Sequence, residues 1–242
     1  MYKNRDIGER FRRFLPGFVM TQIFAVFLLG GLFVTHWLFG VNLYYVMGDP
    51  YSVFSNILKT VQDAPSTSII NPNSFRLPLY VGLVSNLGIL LWCSVTAICF
   101  FTYLLTSRKP KLFRLSPSFF SWSAVISSIL LFDDLLLIHE KIVPKYLGIS
   151  QNTVFMIYGL LILAYFVRWR RQILQTEYLF LLVSLVFFAL SIFLDIAHLP
   201  ISHHTFFEDS FKFMGILNWS VYYIQTCRTQ IDILISKVLL SV

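Results

Sequence analysis

The sequence predicts an all-α membrane protein, with one domain over residues 1–242 that forms a bundle of six transmembrane helices. The first observation behind this prediction is composition: 57% of the residues are hydrophobic and only 13% are charged. The mean hydropathy is +0.71, which is too apolar for a soluble globule. The second observation is that the apolar residues fall in long blocks, and about 20 such residues span a bilayer as a helix. The third is that Lys and Arg are concentrated between alternate blocks.

The predicted elements follow in chain order. The first span, at about 15–39, has a charged leader but no A-x-A cleavage site, so we expect an uncleaved anchor. In the following loop, 40–76, the apolar residues between Val53 and Val61 recur on one helical face, which is typical of a helix on a membrane surface. The other spans are predicted at about 77–106, 118–139, 152–168, 178–199 and 206–227.

The distribution of basic residues predicts the orientation. Fourteen of the 19 Lys and Arg residues lie in the two terminal segments and in the connections after the second and fourth spans. By the positive-inside rule both termini are then cytoplasmic, which requires an even number of spans. We expect the protein in a plasma membrane of the bacterial type or in a thylakoid-type membrane. The net charge of +7 is explained by topology, so we expect membrane lipids and no nucleic acid as partners.

Acidic residues and histidines are concentrated on the opposite side. Eight of the 12 Asp and Glu residues and all five histidines fall at or near that boundary. A charge at the bilayer centre costs on the order of 2.5–3.5 kcal/mol, so such residues are candidates for function. The candidates at the ends of apolar runs are Asp133, Asp134, His139, Glu140, Asp195, His198, Glu208, Asp209 and Lys212.

Helical spacing predicts which of these residues meet. Asp133 and Glu140 share a face of the third span at i and i+7, and Asp195 and His198 can act together on the fifth. The second span begins on the same side, and Ser85 lies roughly 12 Å along it. The sequence therefore predicts an outward-facing polar cavity between four helices.

Two kinds of chemistry fit such a cavity. As a metal site, it would bind a divalent ion such as Zn through Asp133, Glu140, Asp195 and His198, and the ion would activate water. Without a metal, closely spaced carboxylates favour one protonated carboxyl group that works as a general acid. The predicted catalytic residues are Asp133, Asp195, Glu208 and Ser85. The predicted substrate-binding residues are Asn86, Lys212 and Asp134.

Several candidates also have simpler structural explanations. Thr205 and Glu208 form a T-x-x-E capping box, and Glu208 could equally form an i, i+4 ion pair with Lys212. His139 is typical of a solvated helix boundary. His203 and His204 lie in a turn and are expected at the surface.

Four runs carry a resemblance to known sequences: Phe132–Glu140 (FDDLLLIHE), Tyr158–Leu161 (YGLL), Ser191-x-x-x-Asp195 and Glu208–Ile216 (EDSFKFMGI). With them the chain resembles a group of uncharacterised bacterial multi-pass membrane proteins, from the second span onward. That resemblance implies that the acidic positions matter, and it implies no activity. A more distant analogy is to the alkaline ceramidase-like membrane hydrolases, which use Ser, Asp and His near one membrane face. Ser85 departs from their pattern, since no His follows it by four residues.

The function hypotheses belong to different classes. The first is a metal-dependent hydrolase or related enzyme that acts on a lipid or lipid-linked substrate. The second is a noncatalytic scaffold or assembly factor, and the third is a transporter or ion-binding protein, although transporter sites usually lie near the bilayer midplane. A b-type haem between His139 and His198, or at His36, is a further hypothesis.

Overall fold

The computed structural model describes residues 7–62, 78–197 and 203–239, and these residues form a helical bundle. A π-helical turn covers Ile138–Ile142. The helices are α1 (Ile7–Phe39), α2 (Leu43–Met47), α3 (Pro50–Gln62), α4 (Leu83–Arg108), α5 (Pro117–Leu136), α6 (Val143–Leu147), α7 (Gln151–Ile173), α8 (Leu179–Ala197) and α9 (His204–Leu239).

Five of the described helices, α1, α4, α5, α7 and α8, are long and apolar enough to cross a membrane. They confirm the prediction of a helical multi-pass membrane protein. The predicted sixth span lies within α9, which has 36 residues but is not among those five.

The composition of α9 is explained by its position in the bundle. It packs along both α4 and α8, and Trp219, Tyr222 and Tyr223 on it are completely buried. Polar α9 residues such as Asn218 and Gln230 are buried as well, and both take part in hydrogen bonds. A helix surrounded by other helices can carry polar side chains that a lipid-facing helix cannot.

The long helices run up and down, so that the bundle has two distinct ends. We call the end where α5 gives way to α7, at 137–150, the acidic end, and the end that includes 108–116 and 168–178 the basic end. At the basic end, Gln230 of α9 accepts hydrogen bonds from the backbone N–H groups of Arg114 and Leu115. Because the long helices alternate in direction, α4, α7 and α9 begin at the acidic end, whereas α1, α5 and α8 end there.

The segment between α1 and α4 begins with two short helices, α2 and α3. The prediction of a helix in this segment is confirmed by α3, which starts with a hydrogen bond from the Ser52 N–H to Asp49 Oδ1 at 2.7 Å. The N–H of Gly82 donates to the Tyr45 carbonyl at 2.8 Å and so ties α2 to the start of α4. Gly82 has a φ of +71°, and a Cβ there would lie 2.6 Å from Pro50. Glycine is therefore required at this junction.

The packing of the long helices is uneven. Helix α4 packs closely on α5 and α9, and α8 packs closely on α9. Helix α7 has backbone neighbours in α5 and in the turn after it, and it makes no extended contact with α8 within the described ranges. A cavity lies in the space that α7 and α8 leave between them and the rest of the bundle.

Candidate functional site

The candidate site is a cavity of ≈670 Å³ at the acidic end, between α2, α4, α5, α7, α8 and α9. Its inner wall is apolar and includes Trp92, Ile162, Phe166, Phe188 and Ile216. Its mouth is polar and rich in carboxylates. The charged and polar side chains that line it are those of Tyr44, Asp49, Ser52, Ser85, Asp133, Asp134, His139, Glu140, Gln151, Tyr158, Ser191, Asp195, Thr205, Glu208, Asp209 and Lys212.

At the centre of the polar wall, Asp133 is bound to His139. The carboxylate Oδ2 lies 2.6 Å from His139 Nδ1, and Oδ1 accepts the backbone N–H of His139 at 3.0 Å. The hydroxyl of Tyr158, on α7, donates to Oδ1 at 2.8 Å. Asp133 and His139 are 5% and 9% exposed, so these hydrogen bonds are largely shielded from bulk water, and leaving any partner unpaired is costly.

The backbone after α5 creates this pairing. Leu137 has a φ of +52° and ends the helix, and the π-helical turn brings His139 back onto Asp133. The interpretation of His139 as a solvated boundary residue is therefore wrong. The expectation that Asp133 faces Glu140 also fails, because it assumed a regular helix through Leu137.

A second charged pair lies beside the first. Asp134 Oδ1 lies 2.6 Å from Nζ of Lys212, and Asp134 Oδ2 accepts from Trp92 Nε1 at 2.8 Å. The pair joins α5 to α9, and Trp92 adds α4. The predicted ion pair of Lys212 with Glu208 is not what the structure shows, since Asp134 on another helix takes that place.

Asp195, near the end of α8, also lines the cavity. It accepts a hydrogen bond from Gln151 Nε2, at the first residue of α7, at 2.8 Å. Ser191, one turn earlier on α8, lines the same wall. His198, the predicted partner of Asp195, lies outside the described residues.

The start of α9 contributes Glu208 and Asp209. The helix begins at His204, so Thr205 lies inside its first turn and the predicted capping box is wrong. Glu208 faces His204 Nδ1 at 3.7 Å. Asp209 Oδ2 is buried and has no hydrogen-bond partner among the described residues, which leaves it available to a bound molecule or water.

The remaining candidates divide between the cavity and the surface. Ser85 lines the cavity, whereas Asn86 is exposed and is not part of its wall. Glu140 lines the mouth and pairs with Lys141. Partial burial disfavours the charged form of Lys141, but the Glu140 carboxylate outweighs burial and raises the pKa of Lys141 above its usual value.

The predicted metal ligands are placed separately. Asp133, Asp195 and Glu140 each have a protein partner of their own, given above. In the part of the chain that the structure describes, no three His, Cys, Asp or Glu side chains are grouped as a metal site. Coordination of a divalent metal by Asp133, Glu140, Asp195 and His198 stays a prediction from the sequence.

Sequence reasoning missed Tyr158, Gln151 and Trp92 as members of the site. Tyrosine and tryptophan do not stand out in a chain that is 17% aromatic, and Gln151 falls at the start of a predicted span. Their roles depend on partners that are 25, 44 and 42 residues away. Only tertiary structure reveals such contacts.

The fold and site define a helical, multi-pass membrane protein with a buried Asp–His pair at a cavity that is polar at one end and apolar at the other. The family model for a domain of unknown function, DUF8692, matches residues 18–226. The chain therefore belongs to the DUF8692 family. No curated protein and no solved structure matches it.

Proposed function

We propose that this protein is a membrane hydrolase that uses His139, oriented by Asp133, as an acid–base group on an amphiphilic lipid substrate. The observation that carries the proposal is the position of this pair, on the wall of a cavity whose mouth is polar and whose interior is apolar. The roles of the individual residues follow from the hydrogen bonds around the pair.

The Asp133–His139 contact supports the acid–base role. A carboxylate beside Nδ1 favours the imidazole tautomer in which Nδ1 carries the proton, so Nε2 presents a lone pair. No hydrogen bond within the described residues uses Nε2. His139 is then the group that takes a proton from water and returns it to the leaving group. Asp133 and Tyr158 are positioning residues.

Hydrolysis is the reaction that needs the fewest additional components. The open, polar mouth gives water access to His139, and the attack of water on an ester or amide bond needs no further reactant. The proton that water loses goes to Nε2, and the same proton completes the released alcohol or amine. The bond between the acyl carbon and that oxygen or nitrogen is the one that breaks.

The lining of the cavity supports an amphiphilic substrate. The apolar wall formed by Ile162, Phe166, Phe188 and Ile216 offers burial to a hydrocarbon chain, at roughly 0.8 kcal/mol for each CH₂ group. Among the described residues that line the cavity, seven carboxylates stand against a single lysine, Lys212. An excess of one charge in a cleft selects the ligand charge, so a neutral or cationic headgroup is favoured over a phosphate.

We propose further that α9 is the sixth span and that both termini are cytoplasmic. The burial of α9 between α4 and α8 supports the sixth span. The excess of Lys and Arg at the basic end supports the orientation, because such residues are retained on the cytoplasmic side. The acidic end and its cavity then face the outer side of the membrane.

The test is conversion of lipids by the purified protein in nanodiscs. Neutral and zwitterionic glycerolipids and N-acylated long-chain amines are incubated with it, and released fatty acid is measured by mass spectrometry. We expect release with the wild type and at least a hundredfold slower release with His139→Gln. The matched control is His36→Gln, since His36 lies outside the cavity and bonds the Val41 carbonyl.

The outcome also decides between an enzyme and a scaffold. A scaffold whose buried acids only specify helix packing predicts no release by the folded wild type. Equal release by the wild type and His139→Gln would contradict the role of the Asp133–His139 pair.

A further inference from the structure

Helices α7 and α8 are consecutive in the chain, yet their backbones make no extended close contact within the described ranges. Neighbouring helices joined by a short connection usually pack side by side. Here α8 packs along α9, and α7 approaches α5, so α7 and α8 make no extended contact in the described ranges. The backbones of α7 and α8 therefore leave space between them beside the cavity.

The residues on both sides of this gap are apolar or small and are exposed. Gly159 and Leu163 of α7 line the cavity and are exposed. Ala189 of α8 also lines the cavity and is exposed. A Cβ added at Gly159 would meet no atom within 4 Å. Exposed cavity-lining residues on both helices fit an opening of the cavity between α7 and α8.

The depth of the gap places it beside the hydrocarbon layer. Gly159 lies eight residues from the start of α7, and Ala189 lies eight residues from the end of α8. At 1.5 Å per residue both lie about 12 Å from the acidic end. Leu163 and Leu185, four residues further along their helices, also line the cavity. The opening is thus bordered by small residues at one level and by leucines at the next.

The gap is separated from the polar mouth by a bridge. Gln151 and Asp195 join the outer ends of α7 and α8 through their 2.8 Å hydrogen bond. This hydrogen bond crosses the space between the two helices above Gly159 and Ala189. The cavity consequently has a polar opening at the end of the bundle and an apolar opening on its side.

We propose that the side opening between α7 and α8 is the entry for the substrate, which is a lipid taken directly from the membrane. Its hydrocarbon chain lies between Gly159 and Ala189, and its headgroup lies below the Gln151–Asp195 bridge and reaches His139. Water enters separately, through the polar mouth. This inference rests on the proposed function for the headgroup chemistry, whereas the route can be tested without catalysis.

The experiment uses a phosphatidylcholine with a photoactivatable diazirine in the middle of one acyl chain, incorporated into nanodiscs that contain the full chain. After illumination, labelled peptides are identified by mass spectrometry. We expect labelling of cavity-lining residues at the level of Ile162, Phe166 and Phe188. In Gly159→Trp, the indole fills the opening, and we expect this cavity labelling to fall at least fivefold. Labelling of the outer surface of α1 stays constant.

The matched control is Gly30→Trp, since Gly30 is an exposed helical glycine of α1 at which a Cβ meets no atom within 4 Å. It is not part of the cavity wall, and its labelling pattern should equal that of the wild type. Ala189→Trp fills the opening from the other side and should reproduce the effect of Gly159→Trp. If Gly159→Trp does not fold, Ala189→Trp decides the test.

Two results would overturn the entry route. One is cavity labelling that is absent in the wild type, and the other is cavity labelling that both tryptophan variants leave unchanged. His139→Gln separates this inference from the proposed function, because it should abolish conversion and retain cavity labelling. Cavity labelling without conversion in any variant would therefore reject the hydrolase and keep the lipid route.

Discussion

Two polar clusters in this bundle differ in how their hydrogen-bonding groups are satisfied. The charged cluster, Asp133, Asp134, His139 and Lys212, lies on the wall of the cavity. The hydroxyl cluster, Ser123, Tyr165 and Tyr223, lies in the packed interior of the bundle. In the hydroxyl cluster, Tyr165 Oη is 2.7 Å from Ser123 Oγ and 3.0 Å from Tyr223 Oη.

The two clusters differ in whether each polar atom has a hydrogen-bond partner. The hydroxyl cluster is neutral, its three residues are at most 5% exposed, and every hydroxyl has a partner within the protein. In the charged cluster, Asp133 and Asp134 are fully engaged, but His139, which lines the cavity, uses only Nδ1 of its ring in a hydrogen bond within the described part of the chain. A satisfied neutral cluster specifies packing, whereas a charged cluster with a free, directed atom fits chemistry.

The largest effect is expected at Asp133. Asp133→Asn keeps the size of the side chain but removes the negative charge and can stabilise the wrong tautomer of His139, so lipid conversion should fall a hundredfold or more. The rate of fatty-acid release in nanodiscs measures it. Tyr158→Phe, which removes one of the hydrogen bonds to Asp133, should have a smaller effect in the same direction. Full activity of Asp133→Asn would show that the charged cluster, like the hydroxyl cluster, only specifies packing.

The next effect concerns the Asp134–Lys212 pair. Removing one partner of a fully buried ion pair costs about 3–5 kcal/mol. The Lys212 side chain is 39% exposed, so we expect Lys212→Met to lower the free energy of unfolding by about 1–3 kcal/mol. Unfolding in mixed micelles by denaturant measures the change.

The control for this pair is a double-mutant cycle. Asp134→Asn combined with Lys212→Met should destabilise less than the sum of the two single changes, because the double variant leaves no charge unpaired. Strict additivity would show that the pair contributes no coupling to the fold.

A smaller effect is expected from the excess of carboxylates at the mouth. Dodecylamine should displace a fluorescent amphiphile from the cavity at roughly tenfold lower concentration than dodecyl phosphate, with dodecanol between them. Competition binding in detergent measures the order. Tighter binding of the phosphate would show that Lys212, and not the carboxylates, sets the charge preference.

The smallest effect is expected in the hydroxyl cluster. Tyr165→Phe removes the hydrogen bonds to Ser123 and Tyr223 but keeps the ring, so the free energy of unfolding should fall by about 1 kcal/mol. Lipid conversion should stay at the wild-type rate. A loss of conversion comparable to that of Asp133→Asn would abolish the distinction between the two clusters.

Much of the candidate site could be identified from residue type alone. Asp133, Asp134, Asp195, Glu208 and Lys212 stand out in the sequence because ionisable residues are expensive in apolar segments, and all of them line the cavity. Their pairing could not be identified in the same way. Helical periodicity applies only while a helix continues, and α5 ends at Leu136, before His139 and Glu140.

The sequence by itself determined that the protein is helical and crosses a membrane, because hydrophobicity and its block length are local properties that require no partner. The helical segment α3 also followed from local periodicity. Tertiary structure decided the pairing of Asp133 with His139, since a single residue with positive φ, Leu137, redirects the chain there. It likewise decided that α9 lies inside the bundle and that α7 separates from α8. Such features depend on contacts between residues far apart in the chain, which no local pattern encodes.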